Sequence, residues 1–154
     1  DYASVNGFHT IIIGEENTED SRRIARMEND AARYETPTTG PNASALDFIV
    51  RDLQMNEHLR EAAQLAALVQ DDLSRVHPGT DRGVTQSNQL AVLNTAHRPA
   101  ILVELGYSTN RSDARFMTSH SGQLKIADAL ADAVVSYLRG YERKTGVGAG
   151  ASSP

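Results

Sequence analysis

Glu104 is the residue of this chain whose position best suits chemistry. It follows an apolar run at residues 100–103 and precedes Leu105 and Gly106. Such a run predicts a short strand that is buried on both faces, as in the centre of a parallel sheet. Because open α/β sheets bind ligands beyond the carboxyl ends of their strands, an acid here suits general acid or base chemistry. An acid that turns to solvent at a strand end fits the same pattern, and spacing alone favours neither interpretation.

The histidines are the other candidates for chemistry, and they are scattered: His9, His58, His77, His97 and His120. No two lie four residues apart. Zinc needs several ligands that converge, so the spacing predicts no metal site. His9 is expected to be a half-buried histidine held by a neighbour rather than a zinc ligand. We expect His58 and His77 at solvent-side or helix-end positions, and His97 and His120 in loops.

The elements that position these residues alternate between strands and helices. Strands are predicted at residues 8–13, 90–93 and 100–103. Helices are predicted from Asn17 or Thr18 to about residue 34, at 45–53, along an apolar stripe from Leu59 to Val76, at 113–117 and at 123–141. The buried face of the last helix is expected to consist of Ala127, Leu130, Val134, Tyr137, Leu138 and Tyr141. Pro37, Gly40 and Pro41 predict a loop at 35–44, and Pro78 and Gly79 end the apolar stripe.

Strands that alternate with helices predict an α/β fold, a three-layer arrangement with a mainly parallel sheet flanked by helices. Three strands are fewer than such a sheet usually has, so we expect its first strands to be missing from this chain. The small Gly, Ala and Ser residues after residue 143 predict a flexible tail or linker at 144–154.

Composition excludes several classes of protein. The 154 residues fit one domain, and a net charge of −5 without a basic run argues against nucleic-acid binding. Without cysteine there are no disulfides or thiolate metal sites. No apolar run approaches the ~20 residues that cross a bilayer. The chain begins at Asp1 without an initiator methionine, which is typical of a processed or partial product.

Three strings around Glu104 are similar to those of one enzyme family. They are Asp-Arg-Gly-Val-Thr-Gln at 81–86, Leu-Ala-Val-Leu at 90–93, and the segment from Pro99 to Asn110. In this order they resemble the zinc-dependent N-acetylmuramoyl-L-alanine amidases, the amidase-3 family. Gly-Phe-His-Thr at 7–10 and Arg-Met-Glu-Asn at 26–29 resemble two further family strings. The resemblance implies that residues 1–143 are the carboxyl-terminal portion of an amidase catalytic domain.

The zinc ligands of that family do not carry over. Its two histidine-containing strings have no counterpart here, so the resemblance implies that Zn²⁺ is held by residues outside this chain, in a missing amino-terminal segment of the domain. Asn110 matches the family's Ser-Asn pair and is expected to cap the next turn. Gly106 is expected to let the chain leave the strand in a conformation that other residues resist.

The resemblance implies a bacterial peptidoglycan hydrolase of the cell envelope, periplasmic or secreted. Glu104 matches the family's general base and acid for cleaving the amide between N-acetylmuramic acid and L-alanine. Arg82 and Gln86 match motif positions that could bind the stem peptide, and a loop-fixing role is the favoured alternative for both. The helical insert at about 36–56 could cover the active site until an activator protein displaces it, or could simply pack as a peripheral helix.

A second hypothesis is a catalytically incomplete, amidase-like module that binds the cell wall or a regulatory partner. The absent zinc ligands favour it. Glu104 argues against it, because a carboxylate at the end of a buried strand is costly to keep without a task.

Overall fold

The computed structural model describes residues 4–14 and 45–146. Its elements in chain order are β1 (Phe8–Ile13), α1 (Ala45–Ser74), β2 (Asp81–Ser87), α2 (Ala91–Asn94), β3 (Ile101–Glu104), α3 (Arg111–Thr118) and α4 (His120–Thr145). The strands form a three-stranded sheet in the order β2-β1-β3. The α/β class is therefore confirmed. The helix predicted from residue 17 to 34 and the loop at 35–44 lie outside the described residues.

β1 is the middle strand, and its sequence explains why. Phe8–Ile13 reads Phe-His-Thr-Ile-Ile-Ile, and all but its last residue are buried. A run of β-branched residues that is buried on both faces is typical of a strand with neighbours on either side. The predicted bounds of this strand are confirmed.

β3, which carries Glu104, lies at an edge of the described sheet. All four of its residues are half-buried, so the predicted burial on both faces is wrong for this structure. The strand also begins one residue later than predicted and ends on Glu104 itself. The apolar run was a correct signal for a strand, but hydrophobicity does not encode how many neighbours a strand has.

The strand predicted at 90–93 is wrong, because this segment forms the one-turn helix α2. The backbone N–H groups of Leu93 and Asn94 both donate to the carbonyl of Leu90, at 3.1 and 3.0 Å. Leu90 and Leu93 are buried while Val92 is 58% exposed. Residues three apart share a face in a helix, and a four-residue apolar run is compatible with either structure.

α1 is one continuous helix of 30 residues where two helices were predicted. The middle of its predicted apolar stripe is confirmed, since Ala62, Ala66, Val69 and Leu73 are at most 1% exposed. Leu59 and Val76, the ends of the stripe, are half-buried. The helix ends at Ser74, a few residues before Pro78. Residues 45–56, the described part of the predicted insert, are the first turns of this helix, and the regulatory role of the insert remains a prediction.

α3 and α4 confirm the two predicted carboxyl-terminal helices. The side chain of Asn110 accepts hydrogen bonds from the backbone N–H groups of Ser112 and Asp113, as the predicted cap requires. α4 extends to Thr145, where Gly146 adopts the left-handed conformation that commonly ends helices. The helix therefore continues two residues past the predicted domain boundary at 143.

The buried face of α4 differs from the prediction. Gly122, Ile126, Ala129 and Ala133 are its buried residues, whereas Val134, Leu138 and Tyr141 are 41, 48 and 42% exposed. Small side chains let a helix approach its neighbours closely, so the buried face is the one that contains Ala129 and Ala133, which we call the alanine face. Leu130 and Tyr137 of the predicted face are half-buried and its other four residues are exposed. Helical spacing therefore predicted the period correctly but not which residues lie at the centre of the buried face.

The chain divides into two compact units. The first contains Asp1–His9, Gln64–Gly83 and Glu104–Pro154, and the second contains Thr10–Ala63 and Val84–Val103. Within the first unit, the N–H of Phe8 donates to the carbonyl of Thr80. Within the second, Ile11, Leu90 and Leu93 form a buried cluster, against which Ile13, Ala100 and Leu102 pack.

Among the helices described, none has the length and apolar character that crossing a membrane requires.

Candidate functional site

Glu104 is the last residue of β3 and the first residue of the segment Glu104–Pro154 of the first unit. Its side chain is half-buried, as are Leu105, Gly106 and Tyr107 after it. Gly106 has φ +146°, a conformation that side chains rarely adopt, and this confirms the exit from the strand predicted for it. We call residues 105–107 the exit turn. Because this turn directly follows the acid, whatever fixes it also limits where the Glu104 carboxylate lies.

His77 holds the first residue of the exit turn. Its ring lies between Phe8 and Phe116, with ring centres 5.0 and 4.9 Å away. Nδ1 accepts from the N–H of Gly79 at 3.0 Å, and Nε2 lies 2.9 Å from the carbonyl oxygen of Leu105. A backbone N–H can only donate and a carbonyl can only accept, so Nε2 carries the proton of a neutral ring. Of the two positions predicted for His77, the solvent side is wrong, because the residue is buried. The helix end is confirmed, because the N–H of His77 donates to the carbonyl of Leu73 at 2.9 Å just after α1 ends.

Asp113 holds the last residue of the exit turn, and its side chain is fully buried. Its Oδ2 accepts from the N–H of Tyr107 at 3.0 Å and from the N–H of Gly7 at 2.8 Å. One carboxylate oxygen therefore joins the exit turn to the residue before β1. Sequence reasoning missed this role, since an acid in the first turn of a helix is ordinarily explained by the helix dipole.

Arg82 also lies beside the exit turn. Its guanidinium carbon is 5.5 Å from the centre of the Tyr107 ring, and Nη1 lies 3.4 Å from the carbonyl oxygen of Asn6. Asp81 shapes the backbone at this point, because its Oδ1 accepts from the N–H of Gly83 at 2.8 Å and from Gln70. The Asp-Arg-Gly string thus forms a local turn that presents a half-buried arginine near the residues after Glu104.

Gln86 belongs to the second unit. It is exposed on β2, and its side chain packs against Gly14 so closely that a Cβ on Gly14 would meet it at 2.3 Å. Of the predicted site residues, the first unit therefore contains Glu104 and Arg82 but not Gln86. The second unit has a cavity of about 410 Å³ lined by Gln54, Met55, His58, Ala96 and His97, and no predicted site residue lines it.

The remaining histidines do not assemble a metal site. His9 is 2% exposed on β1, more deeply buried than predicted. His58 is half-buried, His97 is exposed, and His120 is the first residue of α4 rather than part of a loop. Within residues 4–14 and 45–146, no three His, Cys, Asp or Glu side chains are grouped so that they could hold a metal ion. These residues therefore do not fit the zinc site that the resemblance implies.

Comparison with known proteins identifies relatives of the chain. The family model for N-acetylmuramoyl-L-alanine amidase matches residues 1–136. Over 74 residues the chain is 38% identical to the uncharacterized protein YqiI of Bacillus subtilis, covering 48% of this chain and 35% of YqiI. Over 124 residues it is 23% identical to the N-acetylmuramoyl-L-alanine amidase AmiA of Escherichia coli, covering 80% of this chain and 43% of AmiA.

A solved structure gives the same picture for the fold. The chain superimposes on the N-acetylmuramyl-L-alanine amidase Ami1 of Mycobacterium smegmatis with a TM-score of 0.56 at 21% identity. The superposition covers 90% of this chain and 49% of Ami1. The chain thus spans less than half the length of each of these three relatives.

Proposed function

The chain belongs to the N-acetylmuramoyl-L-alanine amidase family, and on that premise we propose that it forms part of a peptidoglycan hydrolase. The bond cleaved is the amide between N-acetylmuramic acid and the L-alanine of the stem peptide. The observation that carries the proposal is the position of Glu104, at the end of β3 and before a turn whose backbone is fixed by His77 and Asp113.

Glu104 acts as general base and then as general acid. As base, its carboxylate takes a proton from the water whose oxygen attacks the scissile carbonyl carbon. As acid, it delivers that proton to the amide nitrogen as the carbon–nitrogen bond breaks. The products are the free carboxyl of the lactyl group and the free amine of L-alanine. A half-buried carboxylate at this position suits both steps, because the carboxylate accepts a proton and the carboxylic acid so formed donates it.

Arg82 and Gln86 are proposed to contact the stem peptide. A guanidinium pairs well with a peptide carboxylate, and a glutamine amide bonds a peptide amide. Arg82 has support from its place beside the exit turn. Gln86 has support from its exposure alone.

Zinc dependence is proposed for the whole enzyme, with ligands among residues other than those described. A bound zinc ion supplies a more acidic water and a polarised carbonyl. We further propose a bacterial cell-envelope location, periplasmic or secreted, and a mainly parallel, three-layer arrangement for the complete domain.

The test is release of stem peptides from purified peptidoglycan by the whole protein that the gene encodes, supplied with Zn²⁺. Glu104→Gln keeps the shape and removes the base, so we expect kcat to fall about 10²- to 10⁴-fold with KM little changed. Glu142→Gln, the same change at an exposed position on α4, is the control and should act as wild type. Full activity of Glu104→Gln would refute the assigned role.

A non-catalytic, wall-binding module is the second candidate, because the described residues lack a metal-holding group. The same assay distinguishes the two. Cosedimentation with peptidoglycan, without stem-peptide release by wild type at any zinc concentration, would favour the module.

A further inference from the structure

The buried carboxylate of Asp113 is a feature that the proposed mechanism does not use. Its side chain is fully buried, and it forms no ion pair with any residue of the described chain. Burying a charge without a counter-charge is costly unless strong hydrogen bonds compensate. The compensation here comes from two backbone N–H groups, those of Gly7 and Tyr107, which both donate to Oδ2. One oxygen of the carboxylate, Oδ2, is thus the acceptor for both N–H groups.

Helix capping does not account for this arrangement. Asp113 occupies the first turn of α3, where an acid could accept from the helix's own free N–H groups. That task is already performed by Asn110, whose Oδ1 accepts from Ser112 at 3.0 Å and from Asp113 at 3.3 Å. The bonds of Asp113 instead leave the helix. One joins Tyr107, six positions earlier in the chain, and the other joins Gly7, 106 positions earlier.

We propose that Asp113 is a positioning residue for Glu104, an inference that rests on the proposed function of that acid. The exit turn is anchored twice, at the carbonyl of Leu105 by His77 and at the N–H of Tyr107 by Asp113. Glu104 therefore precedes a backbone whose course is fixed within three residues. The position of its carboxylate is therefore limited by the backbone that follows it.

The two hydrogen bonds from Gly7 and Tyr107 to Asp113, which we call the clamp, lie in closely packed surroundings. Gly106 lies so close that a Cβ there would be 3.1 Å from the Cβ of Asp113 and 3.1 Å from Met117. Loss of the clamp therefore shifts the exit turn rather than being absorbed by a nearby gap. A shift of about 1 Å at a catalytic group can cost 100-fold in rate, while substrate affinity is set elsewhere.

Two variants test the clamp. Asp113→Asn is isosteric and removes the charge, and Asp113→Ala removes both hydrogen bonds. In stem-peptide release by the whole protein, we expect kcat to fall about 10- to 100-fold for Asp113→Ala and less for Asp113→Asn. KM should change less than about threefold in both. Asp128→Asn, an exposed aspartate on α4, is the matched control.

Amide hydrogen exchange, measured by NMR on the 154-residue chain, is the readout that does not need activity. Removing the acceptor should speed exchange at Gly7 and Tyr107 at least tenfold, with Ala129 and Ala133 in α4 unchanged. Unchanged exchange at Gly7 and Tyr107 overturns the proposal. So does an equal loss of protection in α4, which would mean general destabilisation. If Asp113→Ala does not fold, Asp113→Asn decides the result: its neutral amide oxygen is a weaker acceptor, so exchange at Gly7 and Tyr107 should still speed up, though by less, and unchanged exchange at both overturns the proposal.

The two proposals can fail separately. If the wild-type protein releases no stem peptide, the amidase function fails and hydrogen exchange alone decides whether Asp113 holds the exit turn. If wild type is active and Asp113→Ala keeps its kcat, the positioning role fails and the function stands.

Discussion

Histidine 77 illustrates how one neutral side chain can join three parts of a chain. Its ring is enclosed by Phe8 and Phe116, and its nitrogens bond Gly79 and Leu105. The ring is buried and both hydrogen bonds are partly shielded from water, so leaving either partner unpaired is costly. The residue therefore contributes to the stability of the fold and to the course of the exit turn at once.

Replacing His77 with leucine should destabilise the protein. The N–H of Gly79 and the carbonyl of Leu105 would lose their partners, at a cost of about 1–3 kcal/mol for each group left unsatisfied. We expect the free energy of unfolding in urea to fall by ~2 kcal/mol or more. His120→Leu, at an exposed position, should change it by less than about 0.5 kcal/mol. Equal effects of the two changes would contradict the structure.

Two roles can be distinguished for Arg82, binding of the stem peptide and support of the local structure. If its guanidinium binds a stem-peptide carboxylate, Arg82→Gln should raise KM about tenfold, which is ~1.4 kcal/mol of lost binding, with kcat nearly unchanged. A role confined to Tyr107 and Asn6 predicts a lower unfolding temperature and an unchanged KM. Arg139→Gln, exposed on α4, is the control. Steady-state kinetics on soluble muropeptides and a thermal melt together separate the two roles.

Among the elements, α4 makes the sharpest distinction between sequence pattern and structure. The sequence pattern favours Leu138 as a core residue, whereas the structure leaves it 48% exposed and buries Ala133 completely. A glutamate at position 133 would bring both excess volume and an unpaired charge into a packed interface.

We therefore expect Ala133→Glu to lower the free energy of unfolding by about 3 kcal/mol or more, and Leu138→Glu by less than about 1 kcal/mol. Denaturant titration followed by circular dichroism measures both. The reverse order would mean that the predicted face, not the alanine face, is the buried one.

At the scale of the whole molecule, residues 4–14 and 45–146 contain no group of three His, Cys, Asp or Glu side chains that could hold a metal ion. If the zinc ligands lie outside this chain, as the resemblance implies, calorimetric titration of the 154-residue chain with Zn²⁺ should show no stoichiometric binding in the low micromolar range. The whole protein that the gene encodes should bind one Zn²⁺ and lose its activity when the ion is removed by a chelator. Tight binding by the 154-residue chain would mean that its own residues hold the metal.

Local patterns in the sequence determined much of this molecule. The apolar runs predicted β1 and β3, the three- and four-residue steps predicted the stripe of α1, and Asn110 predicted the start of α3. Each of these signals depends on residues within one or two turns of one another, so the information is present in a short window. The strings around Glu104 likewise sufficed to indicate the family.

The other features of the fold were decided by tertiary structure alone, because they depend on which distant segments of the chain come into contact. It converted the apolar residues 90–93 into a helical turn, set β3 at the edge of the described sheet, and chose the alanine face of α4. It also buried His77 and Asp113, whose partners Leu105 and Gly7 lie 28 and 106 residues away. No local spacing encodes such partners. Their choice follows from the packing that brings these buried polar groups to their partners.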